Sequence, residues 1–347
     1  MPRIVFGVGA VAEVPAEVER LGGRRVLLIA GRHEKQYADS LAAAVTPAGR
    51  IEDVAMHVPV ETAAAGVRAA RDTGADLLVC LGGGSATGLA KAIAKDLGLP
   101  IIAVPTTYAG SELTPVWGLT EGGHKSTGRD PRVRPRVVVY DPVLTLTLPA
   151  AVSAASGMNA IAHAAEALYA PDAGADTKDQ AEAGIRGLAT ALPKVAARPG
   201  DLSARTDALR GAWWCGATLA AATMGIHHTI CHVLGGAYRL PHAETHAAVL
   251  PHAVACNESF APAAMTRLAA ALDATDPAPA LWDLVVRLSV PTSLARLGFR
   301  HEDIEEAAGL VVTAVSAKKG PNPRPVEREW VAEVLLAAWD GTRPDDS

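Results

Sequence analysis

Apolar residues in the first part of the chain fall into short, unbroken runs at residues 25–30 (RVLLIA), 76–81 (DLLVCL), 99–105 (LPIIAVP) and 136–140 (RVVVY). Runs of this length, closed by glycine, proline or charge, predict strands covered on both faces rather than strands with one wet side. Between them, residues 36–45, 63–73 and 89–97 are alanine-rich with helical character. Strands alternating with helices predict a parallel sheet wrapped by helices. From about residue 149 the pattern changes. Helical periodicity runs through 151–169, 179–196, 204–224 and 326–339, and strand-like runs become scarce. Two domains are expected, an α/β domain over 1–153 and an all-α domain over 154–347, with neither an internal repeat nor a low-complexity linker. A chain of 347 residues is also long for a single core.

Composition narrows the class. With 49% hydrophobic and 20% charged residues, the chain reads as a well-buried globular protein. A formal charge of −5 offers no electrostatic footprint for nucleic acid or an anionic membrane. The longest apolar runs are broken before membrane-spanning length, and residues 1–10 lack the apolar core and cleavage site of a signal peptide, so a cytoplasmic location is expected. Cys80, Cys215, Cys231 and Cys256 form no C-x-x-C pair and read as free thiols in a reducing compartment. Cys231 lies among histidines but is read as a buried, inert thiol.

Two loops carry candidate binding chemistry. Residues 81–88 (LGGGSATG) follow the second apolar run and open a helix. Gly82, Gly83 and Gly84 would let the backbone approach a diphosphate, whose charge the helix N-terminus favours, and Ser85 and Thr87 add hydroxyls. The spacing is not G-x-G-x-x-G. Residues 105–112 (PTTYAGSE) bring Thr106, Thr107 and Ser111 to the end of the next strand, and together the two loops predict a bound nucleotide. The histidines concentrate elsewhere, in residues 225–236 (GIHHTICHVLGG) and 240–246 (LPHAETH). His228 and His232 share a helical face, and a glycine pair and a proline let His242 fold back toward them. Residues 157–163 (GMNAIAH) set Asn159 and His163 on one face as well. Imidazoles serve metal binding or proton transfer, and this cluster alone leaves both open. An Asp in place of Asn159 would make a natural grip for a divalent cation; Asn lacks the charge.

Together these motifs resemble the iron-containing alcohol dehydrogenase superfamily, over nearly the whole chain from residues 6–10 (FGVGA) to 322–325 (NPRP). The resemblance implies a Rossmann-like α/β domain that holds NADH or NADPH through its GGGS and PTT loops. An all-α catalytic domain would follow, in the fold shared with dehydroquinate synthases. It also implies that the family's metal-ligand positions fall on Asn159, His163, His228 and His242, with His232 near the nicotinamide. Residues 106–123, 127–132, 157–163 and 240–246, with Asn159 where the family has Asp, look like the maleylacetate reductase branch. That branch is known for reducing the C=C bond of maleylacetate to 3-oxoadipate in aromatic-compound breakdown, and is regarded as working without a bound metal. The resemblance thereby makes His228 and His242 donors of protons and hydrogen bonds, Asn159 and His163 their orienting partners, and the molecule a homodimer.

Lys125 and Arg129, in a loop peculiar to this branch, would anchor the carboxylates of maleylacetate or a chlorinated relative, while Arg132 and Arg324 read as surface charges. Residues 30–33 (AGRH) hold no carboxylate where NAD-selective relatives have Asp, so Arg32 is expected to admit NADPH beside NADH. Three rival readings stand beside this one. They are a metal-dependent alcohol or aldehyde dehydrogenase with Asn159 as a carbonyl ligand, a non-catalytic nucleotide sensor, and a lyase of the dehydroquinate synthase type.

Overall fold

The four apolar runs are strands of one parallel sheet in a computed structural model of the chain. It describes residues 1–56, 58–122, 124–318 and 322–344, with the side chains of His124, Lys125 and Lys318 outside the description. The chain divides into two units, Met1–Leu148 and Pro149–Ser347.

In the first unit the strands are β1 (Arg3–Phe6), β2 (Val26–Ala30), β3 (Gly49–Ile51), β4 (Leu77–Gly82), β5 (Ile101–Pro105), β6 (Val116–Glu121), β7 (His124–Arg129) and β8 (Val137–Tyr140). The helices are α1 (Val14–Arg20), α2 (Lys35–Val45), α3 (Val60–Asp72) and α4 (Gly84–Leu97). Six strands form the sheet in the order β1-β8-β5-β4-β2-β3, every neighbouring pair parallel. Every residue of β2, β4, β5 and β8 is buried. Covered on both faces, such strands have no polar side to alternate with, hence the unbroken apolar runs. β1 and β3 are short, partly exposed edges with no such signature.

The stretch read as a loop carrying Lys125 and Arg129 is instead a hairpin. β6 and β7 pair antiparallel, with Trp117 opposite Gly128, so the absence of a side chain at Gly128 makes room for the indole. Glycines and charges along both strands hid the alternation. Arg132 lies just beyond, in a short turn whose Asp130 side chain it binds at 2.7 Å. The other difference is at α4, which begins at Gly84 rather than near residue 89 and so places Ser85 and Thr87 within its first turn.

The second unit holds α5 (Ala150–Tyr169), α6 (Ala175–Ala197), α7 (Leu202–Ala221), α8 (Ile226–Ala237), α9 (His242–Ala255), α10 (Pro262–Leu272), α11 (Pro277–Arg287), α12 (Ile304–Lys318) and α13 (Arg328–Asp340). α5 is buried continuously from Ser153 to Leu168. Its alanines and glycine let neighbours approach from all sides, which suits a helix with no wet face. α6 and α7 meet at Gly184 and Gly211, where a Cβ on either would lie 3.1 Å from the other's carbonyl oxygen. α8, α9, α12 and α13 close a second core around Ile230, Leu234, Val249, Val331 and Leu335. Among the described residues no helix is long and apolar enough to cross a membrane.

One buried cation braces the loop after β5. Lys91 on α4 donates to the carbonyls of Ser111 at 2.7 Å and Val116 at 2.8 Å and to the Thr114 hydroxyl at 3.0 Å. Those three acceptors match the three protons of an ammonium. Burial pulls Lys91 down to about 7 while the nearby Glu112 pulls it up. Glu112 is itself buried and accepts from the Tyr140 hydroxyl at 2.7 Å. Lys91→Met should strand two carbonyls and Glu112, at a cost of about 3–5 kcal/mol. Thermal unfolding is expected to come roughly 6–12 °C lower; an unchanged midpoint would show that the brace contributes nothing.

Candidate active site

In the first unit, the carboxyl ends of β2, β4 and β5 build a narrow backbone cradle. Gly82 closes β4 at φ 145°, a conformation that favours glycine. A Cβ on Gly83 would lie 2.9 Å from the Thr107 methyl, whereas one on Gly84 would meet nothing nearer than 3.9 Å. Gly84 then opens α4, 14 residues long, whose N-terminus has no side-chain cap. Free N–H groups at the start of such a helix favour an anion. Ser85 is partly exposed beside them, and Thr107 and Ser111 are partly exposed in the next loop.

Two predicted cradle hydroxyls point elsewhere. Thr87 is buried and hydrogen-bonds the Cys80 thiol beneath the turn. Thr106 is buried and donates to Glu34 at 3.3 Å. Glu34 is a carboxylate that lies outside the stretch read for coenzyme preference. It stands just past residues 30–33, and its oxygens would lie 2.9 Å from a Cβ on Gly31 and 3.5 Å from one on Gly82. Arg32 is exposed.

In the second unit, α5, α8 and α9 gather the histidines. The His163 and His228 rings are 4.9 Å apart, as are those of His228 and His246, and the His242 and His246 rings are 4.4 Å apart. His232 and His242 are exposed and lie 6.5 Å apart, nearly parallel. Asn159, His163, His228 and His246 are buried. All five predicted residues therefore lie in one unit, and the four histidines among them meet in one cluster. Two histidines join them that were not assigned a role, His227 and His246; both were visible in the histidine-rich windows.

The cluster contains buried polar atoms without partners: Asn159 Oδ1, His163 Nδ1, His228 Nε2 and both ring nitrogens of His246. Each such atom costs free energy unless a ligand or a proton satisfies it. Burial, reinforced by the His228 ring, pushes the His163 pKa well below its usual value. Burial also lowers His246 strongly, and His227 to about 4. Cys231 lies 3.6 Å from His227 Nε2, but burial pushes its thiol well up, in keeping with an inert role.

A fully buried carboxylate behind the rings, Glu166, was missed. It lies on the helical face of Asn159 and His163, three residues after His163, and only its spacing could have flagged it. Its oxygens accept from His228 Nδ1 at 2.6 Å, Gly225 N at 2.9 Å, His227 N at 2.8 Å and the Tyr169 hydroxyl at 3.2 Å. Burial raises its pKa, but His228 and the donors around it outweigh burial and leave it lowered.

Among the described residues, one trio of histidines brings its ligand atoms within 4.8 Å of one another: His227, His228 and His246. His163 and His242 are not part of it. His227 Nε2 is engaged by the His246 carbonyl at 3.0 Å. As for the predicted anchors, Arg129 is exposed on β7, while Lys125 is on β7 with its side chain outside the described residues. Arg324 lies over the rings of Trp330 and Phe260, 4.8 and 5.6 Å from their centroids.

Family comparisons cover nearly all of this. Residues 2–142 match the iron-containing alcohol dehydrogenase model and residues 153–339 the C-terminal model of the Fe-containing alcohol dehydrogenase family. Maleylacetate reductase of Burkholderia cepacia is 48% identical over 99% of this chain and 97% of its own. Maleylacetate reductase of Sphingobium indicum is likewise 48% identical, over 99% and 96%. The solved structure of maleylacetate reductase from Agrobacterium tumefaciens superposes with a TM-score of 0.94 at 46% identity, over 99% and 97% of the two chains.

Proposed function

The chain belongs to the iron-containing alcohol dehydrogenase family, and from that premise we propose that it reduces the C=C bond of maleylacetate to give 3-oxoadipate, with NADH as the hydride source. The observation that carries this reading is the group of buried, unpartnered Asn159, His163, His228 and His246 atoms, a polar site built from an amide and imidazoles. It suits a conjugated ketone acid, and it accompanies near-half identity to maleylacetate reductases along the whole chain.

Iron is the metal that the family's name implies, and these residues do not fit it. Asn159 brings no charge, both Glu166 oxygens are occupied by N–H and O–H donors, and His163 and His242 lie outside the converging trio. Hydrogen-bond donors can take over the stabilisation of charge that a Lewis acid would supply. The cradle, by contrast, fits a dinucleotide. Gly82, Gly83, Gly84 and Ser85 would hold the diphosphate, with Thr107 and Ser111 beside them. Thr87 and Thr106 would shape the cradle from beneath.

Reduced nicotinamide coenzyme, held by the cradle residues, would supply a hydride for the alkene carbon farther from the ketone. The electron pair then moves onto the ketone oxygen, and the resulting enolate takes a proton at the neighbouring carbon. His228 and His242, when protonated on both ring nitrogens, would steady that oxygen and supply the proton, Asn159 and His163 would orient them, and His232 would serve beside the nicotinamide. Lys125 and Arg129 remain the proposed anchors for the substrate's carboxylates. The proposal extends to a homodimer, carried over from the family resemblance. It also extends to the cytoplasm, in keeping with four cysteines that form no disulfide.

NADH oxidation in the presence of maleylacetate should be rapid and should not change with excess EDTA. No turnover of maleylacetate, with activity on alcohols or aldehydes only when iron or zinc is added, would overturn the reading. Glu34 points to NADH over NADPH, because its carboxylate suits ribose hydroxyls and repels a 2′-phosphate. Glu34→Gln is therefore expected to lower the ratio of kcat/KM for NADH to that for NADPH by about tenfold or more. An unchanged ratio would remove Glu34 from coenzyme selection.

A further inference from the structure

Glu166 has no assigned contact with substrate or nicotinamide, yet it is completely buried and makes the shortest polar contact in the cluster, to His228 at 2.6 Å. We propose that Glu166 is a positioning residue that holds a proton on His228 Nδ1 and so presents Nε2 to the substrate. Its chemical consequence rests on the proposed reduction; the placement of the proton does not.

An ionised carboxylate can only accept hydrogen bonds, so a ring nitrogen 2.6 Å from it carries the proton. Two fixed backbone N–H groups keep the carboxylate from turning: Gly225 N on the same oxygen as His228, and His227 N on the other. The Tyr169 hydroxyl closes it from behind and also meets Asn257, which is paired with Asn322 through side-chain hydrogen bonds of 3.0 and 2.9 Å. Those same N–H groups open α8, so one anion fixes both the helix start and the ring that projects from it. The opposite nitrogen, Nε2, is buried and without a partner. With Nδ1–H committed to Glu166, Nε2 alone is left to exchange a proton with substrate. Carboxylates behind catalytic and metal-binding histidines set tautomer and orientation in this way.

A glutamate that merely braced α8 would affect folding but not the ring. The test is the ¹⁵N spectrum of histidine-labelled enzyme, with the His228 signals assigned by their loss in His228→Gln, together with steady-state kinetics of Glu166→Gln. In the wild type, Nδ1 should be protonated. In folded Glu166→Gln the His228 signals should move, and kcat should fall by about 100-fold or more while KM for maleylacetate changes by less than about threefold. Nδ1 without a proton in the wild type would overturn the proposal, as would a folded variant with near-wild-type kcat. If Glu166→Gln does not fold, the wild-type spectrum decides. Should the wild type fail to reduce maleylacetate, the proposed reaction falls, while the spectrum still upholds or overturns the part given to Glu166.

Discussion

The Glu166 carboxylate meets four donors inside the second unit, and the arrangement of the histidines follows from that meeting. Two of the donors are the backbone groups of Gly225 and His227, where α8 begins. The position of His228, one residue on, and of His232, one turn later, is thereby tied to a single anion. That anion can sit there only because α5 brings it in fully buried, on a helix whose small side chains pack closely on every side. A buried carboxylate without such partners would be costly; with two backbone N–H groups, a phenol and an imidazole it stays ionised. Substitution at Glu166 would thus disturb helix entry and ring orientation together.

Much of the fold was legible in the sequence, for a physical reason. β2, β4, β5 and β8 are covered on both faces, so their runs are continuously apolar, and the alanine-rich periods between and after them are helices. What escaped was structure held by pairing rather than by burial. β1 and β3 are short edge strands, and the β6–β7 hairpin depends on Trp117 lying over Gly128 across the strands. The start of α4 was misjudged because glycines there mask helix that the cradle requires.

The site divides along similar lines. Residue type and spacing were enough to flag the histidines and the glycine cradle. Direction was not readable. Thr87 turns down to Cys80 and Thr106 to Glu34, while Glu34 and Glu166 act through contacts with residues distant in sequence. A carboxylate that is ordinary in one dimension becomes specific only when a fold aims it.

Burial lowers the pKa of His163, His227 and His246 in the histidine cluster, and Asn159 adds no charge. Such a site suits a reaction in which negative charge appears briefly on a conjugated ketone oxygen and is quenched by a proton. The most direct test is the fate of deuterium when the enzyme works with maleylacetate and NADH deuterated at the transferable position. Deuterium in 3-oxoadipate on the carbon next to the carboxylate, with solvent hydrogen on the carbon next to the ketone, is the predicted result. Deuterium on the former ketone carbon, in an alcohol that retains the C=C bond, would contradict the account.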